Sequence, residues 1–411
     1  MTELAHLFLQ LFVIIAVSRA VGKQFTRIGL PAVVGEMTAG ILLGPSLFGW
    51  LAPGAFAFVF PADSLGALQL LSQAGICLFM FAVGMDLDLQ QVRSSARTAV
   101  VVSQASIVVP FLFGVGLAYF LYDLAGPRAT FIGFALFMGI SMSITAFPVL
   151  ARILQERGLS RTPLGSLAIT CAAINDVAAW GIMAFVVGIA RSADMGGAVV
   201  TLGLALAFIV VMIWLVRPLV PRWLGDDRLA REEPTSGTLA TVVCVAIAAA
   251  LATEVIGIHA LFGAFLAGAI MPDAAGFRER INGYVERFSA VLLLPLFFAF
   301  TGLRTQVGLL DDLQGWAICM LIVAVATAGK LGAAALAARL TGMAWRESLA
   351  LGTLMNTRGL IELIALNIGY DIGILSPRIF TMLVIMALAT TLLTGPLLTW
   401  LGARNLSAAA R

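Results

Sequence analysis

The chain has 411 residues, of which 61% are hydrophobic and only 11% charged, with a formal net charge of +3. A mean hydropathy of +1.02 excludes a soluble globular protein and a disordered chain, and it fits an all-α polytopic membrane protein. The small positive excess does not point to nucleic acid, because the basic residues sort by their place between apolar runs.

A bilayer core of roughly 30 Å takes about 20 apolar residues per helix. On that rule the sequence predicts thirteen spans: 3–21, 31–48, 64–84, 98–121, 130–151, 164–190, 197–216, 237–254, 257–271, 283–303, 313–338, 347–370 and 377–400. The first run leads into 18–23 with no small-residue cleavage site, so it reads as a retained helix and not a signal peptide. The second and ninth are short. The longest connection, 218–236, reads as a cytoplasmic linker. It separates a first half, 1–217, holding spans 1–6 and a linking span 7, from a second half, 237–411, holding spans 8–13.

Charge placement tests the count. Connections after odd-numbered spans, with the tail, hold nineteen of the 25 basic residues: Arg19, Lys23, Arg27, Arg93, Arg97, Arg152, Arg157, Arg161, Arg217, Arg222, Arg228, Arg231, Arg278, Arg280, Arg287, Arg339, Arg346, Arg404 and Arg411. Connections after even-numbered spans hold four, Arg128, Arg191, Arg304 and Arg378. By the positive-inside rule the N-terminus is outside and the C-terminus cytoplasmic, in a plasma or inner membrane. Lys330 and Arg358 are left inside spans.

The two halves carry a weak repeat in the same order. Residues 34–42 (VGEMTAGIL) parallel 262–270 (FGAFLAGAI), 78–85 (LFMFAVGM) parallel 296–303 (LFFAFTGL), and 139–145 (GISMSIT) parallel 352–358 (GTLMNTR). Partners lie seven spans apart, an odd number, so related helices run in opposite directions. That is the inverted-topology repeat of many secondary transporters. Spans 5 and 12 read as discontinuous crossing helices, the first ending in Pro148 after Ser141, Ser143 and Thr145, the second carrying Asn356, Thr357, Arg358 and Gly359. Broken backbone at membrane depth survives where it lines a cavity or is buried in protein, and its freed carbonyls become cation ligands. Small-residue packing between intact helices is the other reading of either span alone.

Polar residues converge on one depth. At about 1.5 Å of rise per residue, Asp176 lies ~18 Å into span 6 and Arg358 ~17 Å into span 12, with Lys330 ~12 Å and Thr145 ~9 Å from their cytoplasmic ends. A carboxylate near the bilayer centre costs roughly 2.5 to above 10 kcal/mol. Asp176, next to Asn175, therefore reads as an ion or proton site; an interhelical carboxylate that only holds the bundle together is the alternative. Lys330 needs an anionic or strongly polar partner, with Asn175 and Asp176 nearest in depth and Glu362 a further candidate. Arg358 has Glu362 at i+4, which is either a charge-compensating pair of the site or a local structural one. Glu36 reads as interfacial, with a funnel role as the alternative, Asp86, Asp88 and Arg152 as helix-end anchors, and Gln73 and Gln104 as hydrogen-bonding glue. His6 and His259 have no partners at metal-ligand spacing, and Cys77, Cys171, Cys244 and Cys319 fit neither a metal site nor a disulfide framework, reading as small core residues. No cofactor and no transition metal are expected.

The stretches 173–180 (AINDVAAW), 141–148 (SMSITAFP) and 355–364 (MNTRGLIELI), with Lys330, resemble the monovalent cation:proton antiporters of the sodium/hydrogen exchanger group that holds Kef potassium efflux systems, plant CHX exchangers and NapA-type antiporters. The resemblance covers nearly the whole chain. It implies a NhaA/NapA-like fold, a homodimer joined through the first spans, and a core of spans 4–6 and 11–13 that moves against that scaffold. It also implies exchange of Na⁺ or K⁺ for H⁺ in pH homeostasis, and no enzymatic reaction. Asp176, Asn175, Thr145 and Ser143 would then bind ion and proton, with Lys330, Arg358 and Glu362 compensating charge and Ser141, Asn356 and Thr357 as polar groups of the crossing helices. Electrogenic NapA-type members have two adjacent aspartates where this chain has Asn175 and Asp176, which favours one-for-one electroneutral exchange. Kef-type proteins continue into a nucleotide-binding domain, where this sequence stops soon after span 13. Sodium-coupled organic-anion symport on the same architecture, a cation channel and a non-transporting receptor are the alternative functions.

Overall fold

The computed structural model describes residues 3–27, 30–86, 97–159, 162–191, 195–225, 234–272 and 276–402. Asp88, expected as a helix-end anchor, and Arg93, Arg161, Arg228, Arg231, Arg404 and Arg411 of the charge pattern lie outside the described residues.

The described residues are helical in α1 (Glu3–Arg27), α2 (Ala32–Leu43), α3 (Phe48–Leu51), α4 (Pro53–Val59), α5 (Leu65–Asp86), α6 (Arg97–Leu121), α7 (Phe131–Ser143), α8 (Phe147–Glu156), α9 (Pro163–Arg191) and α10 (Met195–Val211). They continue with α11 (Arg217–Leu224), α12 (Ser236–Ile256), α13 (Ala260–Ala269), α14 (Phe277–Phe288), α15 (Leu294–Arg304), α16 (Leu313–Leu340), α17 (Trp345–Met355), α18 (Leu360–Asp371) and α19 (Pro377–Trp400). One wide helical turn, Met212–Val216, joins α10 to α11, and another, Ser289–Leu293, joins α14 to α15. Several starts are set by caps read directly from the chain: Thr130, Thr235, Asp312 and Ser376 each accept a main-chain N–H three residues on, and Pro377 then takes the first helical position.

Among the described residues, eleven helices are long and apolar enough to cross a membrane, twelve with the bent pair Trp345–Met355 and Leu360–Asp371. The remaining predicted span, 257–271, is the ten-residue helix α13, shorter than a crossing. Polarity is inside out relative to a soluble protein. Phe12, Phe120, Trp214 and Val255 are exposed, whereas Asn175, Asp176, Lys330, Arg358 and Glu362 are buried. Such a molecule is a multi-pass membrane protein. Two expectations fail on exposure. Cys244 is exposed and is no core residue, and Gln104 is exposed and not packed between helices of this chain. Glu36, expected at the interface, is buried with its carboxylate 3.7 Å from Arg19.

The chain forms two compact units, each drawn from both sequence halves: 1–15, 59–88 and 184–300 in one, 16–58, 89–183 and 301–411 in the other. In the first, α13 packs on α5 and α12. In the second, α6 lies against α7 and α16, and α16 against α17 and α19. The glycines that the sequence repeat pairs sit at corresponding crossings. A Cβ on Gly302 would stand 1.9 Å from the carbonyl carbon of Gly40, and one on Gly268 would stand 2.0 Å from the carbonyl oxygen of Phe81. Gly40 of α2 thus meets the Gly302 end of α15 backbone to backbone within one unit, as α13 meets α5 within the other.

Candidate functional site

Both predicted interruptions are present. α7 ends at Ser143, and Ile144 is extended with ψ 135°. Pro148 explains the stop: it has no N–H for the carbonyl of Ile144, and its ring would strike that carbonyl in a continuous helix. In the first turn of α8 the same proline costs nothing. The second break lies between α17, capped by Asn356, and α18, with the two halves bent by 43°.

The breaks are bonded to each other. Ala146 N–H donates to the Thr357 carbonyl at 3.0 Å, and the Thr145 hydroxyl donates to the Met355 carbonyl at 3.1 Å. Asn175 on α9 holds this junction from the side. Its Nδ2 donates to Thr145 Oγ1 at 3.1 Å and to Ser106 Oγ at 3.0 Å, and its Oδ1 accepts from the Ser103 hydroxyl. Asp176 follows directly and is 3% exposed, and its Oδ1 has no hydrogen-bond partner. The main-chain N–H of Phe147, at the start of α8, lies against its carboxylate. A helix N-terminus carries a partial positive charge, so this placement supports an anion.

The two buried cations face the opposite helix end. Lys330 Nζ donates to the carbonyls of Ser143 and, at 3.0 Å, of Ser106. Arg358 donates through Nη1 to the Ser141 carbonyl and through Nη2 to the Met142 carbonyl at 2.8 Å, with Nη1 also 3.2 Å from Glu362 Oε1. Three successive carbonyls at the C-terminal, negative end of α7 are thereby capped by positive charge. Two expectations change. Lys330 directs its hydrogen bonds to main-chain oxygens, while Asp176 and Glu362 act on it through charge alone. The carbonyls of Ser141, Met142 and Ser143 are ligands of the protein's own cations, and the first break also carries the hydroxyls of Ser143 and Thr145. The Ser143 hydroxyl lies 2.9 Å from the carbonyls of Ile107 and Gly139.

Ser141 Oγ, Asn356 Oδ1 and Glu362 Oε2 are buried without partners. Thr357 Oγ1 is 3.5 Å from Thr394 Oγ1. Sequence reading missed Ser103 and Ser106, whose i, i+3 spacing puts two hydroxyls on one face of an otherwise apolar span. It also missed Thr391 on α19, which accepts Arg358 N–H at 2.9 Å. A second polar cluster went unread: Arg304 pairs with Asp371 at 2.6 Å and donates to Asn367 at 3.0 Å. Asn367 in turn donates to Thr301 at 2.8 Å. Arg304 ends its helix, and single helix-end charges carry no pattern that predicts a partner. Among the described residues, no group of three or more His, Cys, Asp or Glu could hold a metal ion.

A family model described as "Sodium/hydrogen exchanger, transmembrane" matches residues 12–404. The chain is 43% identical to the Na(+)/H(+) antiporter NhaS4 of Synechocystis sp., over 94% of its own length and 95% of that protein. It is 39% identical to Cation/H(+) antiporter 20 of Arabidopsis thaliana over 95% of its length and 48% of the plant protein. It is also 32% identical to K(+)/H(+) antiporter 1 of Saccharomyces cerevisiae, over 94% of its length and 45% of the yeast protein. The chain thus spans about half the length of the plant and yeast relatives. The solved structure of the sodium proton antiporter MjNhaP1 from Methanocaldococcus jannaschii is similar in fold, with a TM-score of 0.68, 98% of each chain covered and 16% identity. By the extent of the family match and by these relatives, the chain belongs to the transmembrane sodium/hydrogen exchanger family.

Proposed function

We propose that the protein exchanges a monovalent cation, Na⁺ or K⁺, for a proton across the membrane, with Asp176 carrying one or the other. One observation carries this reading: Asp176 Oδ1 is buried without a hydrogen-bond partner, while Lys330 hydrogen-bonds main-chain carbonyls and Arg358 is held by main-chain carbonyls and Glu362. An unpartnered carboxylate oxygen in a low-dielectric interior is costly until a proton or a metal cation takes it. The names of the relatives, Na⁺/H⁺ and K⁺/H⁺ antiporters, support the reaction class.

In the proton-loaded form Asp176 is a neutral carboxyl. Opened to one aqueous phase, it releases the proton, and the carboxylate takes a dehydrated alkali cation. The hydroxyl oxygens of Thr145 and Ser143 complete the shell, with Asn175 holding Thr145 in place. Either passenger neutralises the carboxylate and lowers the cost of moving the site past apolar surroundings; the empty, ionised form crosses poorly, so exchange is obligatory. Asn175 has no proton to give, which makes the stoichiometry one cation per proton and the cycle electroneutral. Halves 1–217 and 237–411 act as the two inverted repeats, with the N-terminus outside, the C-terminus in the cytoplasm and a homodimer in the plasma or inner membrane.

The test is a pH-sensitive dye trapped in proteoliposomes, with Na⁺, K⁺ or Li⁺ added in turn. Asp176→Asn should abolish cation-driven proton movement while the protein remains monodisperse in detergent. Exchange near the unaltered rate would remove Asp176 from this role.

A further inference from the structure

Two side-chain stitches hold the breaks, and they occupy equivalent places in the repeat. The register of 139–145 on 352–358 sets Thr145 opposite Arg358. Asn175, from the sixth span of the first half, bonds Thr145. Thr391, from the last span of the second half, accepts Arg358 N–H at 2.9 Å and donates to the Arg358 carbonyl at 2.8 Å. The first half thus places a short hydroxyl within its break, and the second half places a guanidinium.

That guanidinium is fixed at both ends. Thr391 pins its main chain, and Glu362 Oε1 lies 3.2 Å from Nη1. Nη1 and Nη2 then reach two consecutive carbonyls, Ser141 and Met142, across the junction. Lys330 takes the next carbonyl, Ser143. The residues that follow on the chain, from the Ser143 side chain to Thr145, are the hydroxyl ligands proposed above, so their position is set by where these carbonyls are clamped. Discrimination between alkali cations depends on small differences in ligand spacing and number. A planar fork fixes two acceptors at once, which a single ammonium at the end of a flexible stem does not.

We propose that Arg358 is a positioning residue for cation selectivity: its fork, held by Thr391 and Glu362, sets the end of α7 and through it the spacing of Ser143 and Thr145 about the cation. The inference rests on the exchange reading with Asp176 as carrier. It differs from charge compensation in what it demands, since a lysine supplies the same charge without the same geometry.

The experiment compares half-saturating Na⁺ and K⁺ concentrations in proteoliposomes for the unaltered protein, Arg358→Lys, Thr391→Val, Thr391→Ser and Asp176→Asn. Arg358→Lys should shift the Na⁺/K⁺ ratio of half-saturation by about tenfold, and Thr391→Val by about threefold in the same direction. Thr391→Ser, which keeps the hydroxyl, should restore the original ratio. An unchanged ratio in Arg358→Lys would show that charge alone matters and overturn the proposal. If Arg358→Lys yields no folded protein, Thr391→Val decides: a lower maximal rate with an unchanged ratio marks a merely structural role and overturns it equally. Undiminished exchange in Asp176→Asn would instead sink the carrier assignment, a separate failure from that of Arg358.

Discussion

Ala146 N–H donates to the carbonyl oxygen of Thr357 at 3.0 Å, so the two interrupted spans are joined main chain to main chain at the point where each is broken. Proline at 146 removes this donor, and the φ of −87° at Ala146 is near what proline adopts. Ala146→Pro should lower stability by about 1 kcal/mol, the net worth of one hydrogen bond. Exchange should fall by about tenfold, because a displaced junction misplaces ligands. Thermal unfolding in detergent and the dye assay measure the two effects; equal, large losses in both would mean that the junction serves stability alone.

A carboxylate shared by proton and cation makes the two compete. Over the pH range in which Asp176 exchanges its proton, the half-saturating cation concentration should rise about tenfold for each pH unit of acidification, since one proton leaves for each cation bound. Initial rates at a series of external pH values give the slope. A flat dependence across that range would argue for separate proton and cation sites.

Lys330 caps α7 by donating to Ser143 and Ser106. Lys330→Met leaves both carbonyls and the negative helix end uncovered and should cost about 2 kcal/mol. Lys330→Gln keeps N–H donors at that position and should recover roughly half of the loss. Both substitutions remove the charge, so a difference between their thermal stabilities separates capping from net charge. Identical melting curves would contradict the capping role.

The Gly40–Gly302 crossing leaves no room for a methyl group. Gly302→Ala would put a Cβ 1.9 Å from the Gly40 carbonyl carbon and should abolish accumulation of folded protein in the membrane. Gly116→Ala, whose added methyl would meet nothing within 4 Å, should behave as the unaltered chain. Yield and size-exclusion profile report both. A well-behaved Gly302→Ala variant would require α2 and the end of α15 to separate without consequence.

Much of this architecture is legible in the sequence. Apolar run lengths locate the helices, and both breaks are marked by glycine, proline and hydroxyl residues where helix propensity is poor. Asp176 stands out because a carboxylate in an apolar run is expensive. The gaps have physical causes too. A sequence displays charges, so it offers Lys330 the acidic side chains that do act on it through charge; its hydrogen-bond acceptors are carbonyls, which every residue carries and no pattern marks. Ser103 and Ser106 pass for ordinary small residues of a transmembrane span. Thr391 is one of many buried threonines bonded within their own helix, and only the fold brings it to Arg358. The short pieces α3 and α4 fall in the connection between the second and third predicted spans, where Gly49, Pro53 and Gly54 mark turns and give no sign of helix.

The contact of Gly40 with Gly302 has a mechanical consequence. Interfaces made of side chains slip as rotamers exchange, but two main chains in direct touch have no such freedom and yield only by parting. α2 and the Thr301–Arg304 end of α15 therefore behave as if riveted. Parting them takes two backbones apart at once, so this contact is expected to open as a single event and not by gradual loosening.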